Sequence, residues 1–181
     1  MPNIVGFCGS LRAASYNRML MRLAESVMPA SMKLQALEWR DVPVFDGDVL
    51  AKGMPPVVAG LREQVRKADG ILIVTPEYNF SIPGGLKNVI DWLSRGEDQP
   101  FAGKPVAIQS ASGSNFGGAR MQYHLRQSMV FLDAHVLNKP EVMIGQAPAK
   151  IDAEGRLVDE TTRKFVAEQL AAFAALIARL R

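Results

Sequence analysis

The run Gly70-Ile71-Leu72-Ile73-Val74 constrains the fold more than any other segment of the chain. Its four branched apolar residues stand in a row, with no polar residue at every second place, so neither face of such a strand can be left in water. Strands of this kind belong to a mostly parallel sheet that helices cover on both sides. The neighbouring segments have the required pattern. Residues 3–8 form another apolar run, followed by a polar turn and by "RMLMRLAESVM", where Leu20, Leu23, Ala24 and Val27 share one helical face. "MKLQALE" is a weaker extended segment, and the loop around Val42-Pro43-Val44-Phe45-Asp46 leads to a helix from about Pro56 to Lys67. After the strand at 70–75 come a helix with Leu86, Val89, Ile90 and Leu93 on one face, the strand "KPVAIQS" and a helix over "MQYHLRQSMVFL". The short run "HVLNKP" and a long C-terminal helix complete the alternation. Repeated crossovers of this kind predict an α/β sheet with right-handed connections. No repeat, linker or low-complexity segment divides residues 1–181, so one domain is expected.

Composition agrees with that size: 48% apolar and 22% charged residues suffice to bury one core. The single cysteine, Cys8, has no partner for an intrachain disulfide, and the N-terminus lacks the basic flank, apolar segment and cleavage site of a signal peptide. A cytoplasmic location is therefore expected. No apolar run reaches the roughly 18 residues of a membrane span. The ending "QLAAFAALIARLR" reads as an amphipathic helix, with Phe173, Leu176, Ile177 and Leu180 at helical spacing. The 21 Lys and Arg residues are scattered among 18 Asp and Glu, which argues against a nucleic-acid surface. His124, His135 and Cys8 form no metal-ligand pattern, so structural roles are expected for them and no metal site is predicted.

Three loops leave the predicted strand ends, at 9–17, 76–85 and 110–118, and ligands of open parallel sheets gather there. The first, "GSLRAASYN", carries more polar groups than a turn needs. Its backbone N–H groups precede a helix, Ser10 and Ser15 add hydroxyls, Asn17 an amide and Arg12 a charged fork, which together suit a terminal phosphate. Ser15 or Asn17 can equally act only as the helix cap, with Arg12 in solvent. The loop has neither GxGxxG nor GxxxxGK[ST], which disfavours dinucleotide and triphosphate signatures. In the second loop Tyr78 and Phe80 offer an aromatic wall and Asn79 a donor and acceptor, between Pro76 and Pro83; the alternative is a rigid turn. The third, "SASGSNFGG", offers hydroxyls and close-approaching backbone, unless Gly117 and Gly118 only start the next helix. A phosphate anchor, a flat surface and edge donors are the parts of a flavin mononucleotide site.

"GSLRAASYN", "TPEYNFSIPGGLKNVIDWLSR" and "GGARMQYHLRQ", in that order, resemble the NADPH-dependent FMN reductase family of the flavodoxin-like superfamily, closest to its bacterial quinone and chromate reductase branch. The resemblance covers nearly the whole chain. It implies a three-layer α/β/α sandwich with a parallel sheet of five strands in order 2-1-3-4-5, FMN as cofactor, NADPH or NADH as hydride donor, and a homodimer or homotetramer. It implies that Ser10, Arg12, Ser15 and Asn17 hold the FMN phosphate. Pro76, Glu77, Tyr78 and Asn79, with Ser81 close by, would face the isoalloxazine ring, and Ser110, Ser112 and Gly113 its pyrimidine edge. The charged positions on the helix face of "GGARMQYHLRQ" can be ordinary solvent contacts; the resemblance offers instead a polar subunit interface of Arg120, Tyr123 and Glu141, with Arg95 on the cofactor side or at an interface. The expected activity is hydride transfer from the nicotinamide to FMN and then electron transfer to a quinone or another small acceptor such as chromate, with no side-chain nucleophile. Two competing functions share the fold: an FMN-binding electron carrier reduced by a partner protein, and a non-redox phosphate-responsive module.

Overall fold

The computed structural model describes residues 1–181. The alternation begins with β1 (Asn3–Cys8), α1 (Tyr16–Ser26) and β2 (Lys33–Ala36), then α2 (Gly47–Ala51), α3 (Pro56–Lys67), β3 (Gly70–Val74) and α4 (Gly84–Leu93). It continues with β4 (Pro105–Ala111), α5 (Ala119–Phe131), β5 (His135–Val136), β6 (Val142–Ile144), a 3₁₀ turn at Ala147–Lys150 and α6 (Glu160–Leu180). Every strand pair is parallel, and the order is β2-β1-β3-β4-β5, with β6 also on β4. The order is the expected one, and the fold is the three-layer α/β sandwich.

β3 accounts for its own sequence. Ile71 and Ile73 enter one core with Val5, Phe7, Val106 and Ile108 beneath α3, α4 and α5, whereas Leu72 and Val74 enter the other with Ile4 and Ala107 beneath α1 and α6. Successive side chains point to opposite faces and both faces are covered, so alternation disappears. α6 packs Val166, Leu170, Phe173 and Ile177 into the second core. No helix is long and apolar enough to cross a membrane.

Two details differ from the sequence-based expectation. The last sheet position is shared by two short strands: β5 stops after Val136, and β6 resumes beside Gln109–Ala111. Between them Arg126 donates to the Leu137 carbonyl and to Asn138 Oδ1, and Gln169 donates to the Pro140 carbonyl, so side chains occupy backbone groups that a continuous strand would pair. α2, which periodicity did not predict, buries no residue; it is started by Asp46, whose carboxylate accepts from Asp48 N at 2.8 Å.

Candidate functional site

β1 lies between β2 and β3, and the chain leaves it on opposite sides, so β1/β3 is the switch point of the sheet. There the three polar loops surround one open cleft of about 210 Å³. Ser10, Arg12, Ser15 and Asn17 line it from the first loop, Pro76, Glu77 and Tyr78 from the second, Ser112 and Gly113 from the third; Tyr16 and Ala111 complete it. A depression of about 530 Å³ between α1 and the start of α6 is larger but contains none of these loop residues. Convergent polar groups at the switch point, rather than size, select the site.

The first loop owes its path to Gly9. A Cβ there would stand 2.0 Å from Thr75 Oγ1 and 2.5 Å from Thr75 Cβ, so only glycine lets β1 exit so close to the end of β3. Ser15 caps α1, accepting from Asn17 N at 3.2 Å. The backbone N–H groups of Ser10, Leu11, Ala13 and Ala14 meet no acceptor within the chain. Unpaired amides gathered in the loop that leads into α1 form an anion cradle. Arg12 has no carboxylate partner; its guanidinium lies 5.3 Å from the Tyr16 ring centroid.

Asn17 is used differently from a free donor. Its Nδ2 donates to Ala111 O at 2.9 Å and its Oδ1 accepts from Ala111 N at 2.8 Å. The amide therefore ties the first loop to the end of β4. Ser110 is fully buried, its hydroxyl donating to Gly117 O and accepting from Gln122 Nε2, so it supports the third loop from behind instead of facing the cleft. Ser112 remains beside the opening, hydrogen-bonded to Ser114.

In the second loop, Tyr78 and Ser81 exchange backbone hydrogen bonds at 3.0 and 2.9 Å around Asn79 (φ 49°) and Phe80 (φ 66°). Two positive φ values define a tight hairpin turn of the I′ kind, which is unusual for phenylalanine. Asn79 occupies this turn outside the cleft lining, and Ser81 Oγ lies 3.1 Å from His124 Nδ1. The turn presents Tyr78 at the opening, half exposed. Glu77 accepts from Arg120 Nε at 2.6 Å and from Met121 N at 3.2 Å at the start of α5. Sequence reasoning missed these α5 contacts because their partners lie more than 40 residues apart. Tyr123 OH donates to Glu141 at 3.2 Å within the same chain. Lys139 beside Glu141 holds that carboxyl below the usual carboxylate range. Arg95 stacks on Phe45, away from the cleft.

Cys8, beneath the first loop, is buried and donates to Ser10 O at 3.5 Å; burial pushes its thiol pKa up, against a smaller opposing pull from that bond and Arg18. Iodoacetamide at neutral pH should label the folded protein at least about a hundredfold more slowly than the unfolded chain, since thiolate is the reactive form. Equal rates would contradict the burial. The folded thiol keeps its proton where the unfolded one loses it, so this group's contribution to stability is lost as pH rises past the ordinary thiol range.

Residues 2–149 match the family described as NADPH-dependent FMN reductase. The chain belongs to that family. It is 52% identical over 181 residues to a quinone reductase of Escherichia coli K12, covering 98% of this chain and 96% of the relative. An NAD(P)H-dependent FMN reductase of Pseudomonas aeruginosa is 49% identical over 178 residues, with the same coverage of 98% and 96%. Among solved structures, FerB, the flavoenzyme NAD(P)H:(acceptor) oxidoreductase of Paracoccus denitrificans, superposes with a TM-score of 0.90 at 31% identity, covering 99% of this chain and 98% of that one. The family is one of FMN-binding, NAD(P)H-using oxidoreductases, and this chain is a member of it.

Proposed function

We propose that residues 1–181 act as one FMN-binding domain of a cytoplasmic NAD(P)H:quinone oxidoreductase, with chromate as a further acceptor. The observation that carries this reading is the set of four unpaired backbone donors in the loop that leads into α1, the loop that also brings Ser10, Arg12 and Ser15 to the cleft that Tyr78 lines. The residues present fit FMN: a doubly charged phosphate monoester matches an amide cradle with an added cation, and a flat ring matches an opening bounded by a tyrosine and by Gly113, which has no side chain. Bound FMN would supply the hydride and electron chemistry.

The chain's own residues would do the positioning. Ser10, Ser15 and Arg12 hold the phosphate; Pro76, Glu77, Tyr78 and the Asn79 turn set one wall, with Ser81 behind them; Ser112 and Gly113 bound the other edge, backed by Ser110 and tied to the first loop by Asn17. On that edge the Gly113 N–H meets no acceptor within the chain and would favour negative charge, an electrostatic contribution with no side-chain nucleophile. The exposed Tyr123, Val130 and Phe131 of α5 support assembly as a homodimer or homotetramer.

The deciding experiment is anaerobic stopped-flow absorbance on protein reconstituted with FMN, mixed with NADH or NADPH and then with a quinone. Rapid flavin bleaching followed by quinone-dependent reoxidation is expected. Bound flavin that neither nucleotide reduces would instead identify a carrier served by a partner protein. Arg12→Ala should weaken FMN retention roughly tenfold through loss of one charge-assisted contact, read by flavin fluorescence on titration; unchanged retention removes Arg12 from the phosphate site.

A further inference from the structure

Glu77 places a carboxylate on the wall of a cleft whose other features favour anions, and its side chain is 8% exposed. Beside an anionic ligand such a charge is repulsive unless it is compensated. Its cationic partner is Arg120, two residues into α5, bonded at 2.6 Å through Nε and again through a terminal nitrogen. Arg120 itself lines no part of the cleft. It is held between two aromatic faces, 3.8 Å from the Phe80 ring centroid and 4.8 Å from that of Phe116, both rings being largely exposed. Phe80 is the residue at φ 66° in the second-loop turn, and Phe116 belongs to the third loop, so one guanidinium spans the two loops on either side of the opening.

We propose that Arg120 is a positioning residue that makes Glu77 compatible with an anionic ligand: it neutralises the carboxylate at the cleft wall and, stacked between Phe80 and Phe116, holds the second and third loops together. This rests on the FMN reading of the cleft, and extends it to a residue outside the lining. Arg and not Lys suits the task, because a planar guanidinium can pair with a carboxylate along its edge while both faces stack on rings. The stack also opposes relaxation of the unfavourable Phe80 backbone.

The test separates charge from scaffolding. FMN titrations of wild type, Arg120→Ala and the Arg120→Ala/Glu77→Gln pair should show the single variant weakened roughly tenfold, a modest figure because the guanidinium is 39% exposed and partly screened. The double variant should recover to within a few-fold of wild type, since glutamine keeps an acceptor for Met121 N without the charge. A single variant that binds like wild type, or a double variant as weak as the single, overturns the charge assignment. Arg120→Lys should restore part of the affinity while amide exchange at Tyr78 and Ser81 in flavin-free protein stays faster than in wild type; wild-type exchange in Arg120→Lys would overturn the stacking half. If wild-type protein takes up no FMN, the FMN reading falls by itself. The same variants heated with inorganic phosphate then decide the point: less stabilisation of Arg120→Ala, regained in the double variant, upholds Arg120's role, and equal stabilisation of all three overturns it.

Discussion

Gly9→Ala is expected to cost about 3 kcal/mol of folding stability, roughly 6–12 °C in Tm for a chain of this size, and to abolish most FMN retention. The added methyl would overlap Thr75 at 2.0 Å from Oγ1 and 2.5 Å from Cβ, and Thr75 is fully buried at the end of β3 with no room to retreat. The strain must be relieved by moving the exits of β1 and β3 apart, and those exits carry the first and second loops of the cleft. Adding Thr75→Ala removes the nearer atom but leaves the Cβ contact, so rescue should be partial. Thermal unfolding of flavin-free protein with a parallel FMN titration measures both effects; a Gly9→Ala protein that melts with wild type would show that the loop exits are not in close contact.

Asn17→Leu should be at least as damaging, by about 3–5 kcal/mol, because it strands a buried backbone N–H and C=O at once. Thr75 N donates to Gln109 O where β3 ends, and Ala111, two residues further along β4, points the same way. The Asn17 amide takes both Ala111 groups, so it continues the β3–β4 ladder beyond β3 with a side chain that lies 94 residues away in sequence. Asn17→Asp keeps the acceptor but sets a carboxylate against the Ala111 carbonyl, and should do no better than leucine. Urea unfolding of flavin-free protein reads this directly, since a midpoint equal to wild type for either variant would mean that the clip contributes nothing. FMN affinity should fall with stability, because the clip aligns the third loop with the first.

Much of the fold was legible because its signals are local. The unbroken apolar β3, the helical face of Leu20, Leu23 and Ala24 in α1, and the exits at residues 9, 76 and 110 each follow from a few adjacent residues, and their order implied a sheet with loops gathered at one edge. The split of the last sheet position into β5 and β6 was not legible. It depends on Arg126 and Gln169, side chains from two helices that take backbone groups away from the sheet.

At the site, residue types and their grouping were visible, whereas the direction of each side chain was not. Ser10, Arg12, Tyr78 and Gly113 meet at the cleft, but Asn17 spends its amide on Ala111, Ser110 turns inward to Gln122, and Asn79 sits in a turn outside the lining. The sequence by itself determined the parallel α/β class, the loops that meet and the excess of anion-seeking donors among them, since periodicity, strand burial and residue chemistry are properties of short segments. Only the tertiary structure decided that Gly9 is a point of contact with Thr75, that Asn17 is a clip and that Arg120 answers Glu77. Those roles are set by partners brought together across distant parts of the chain, and no local pattern records which buried polar group will meet which.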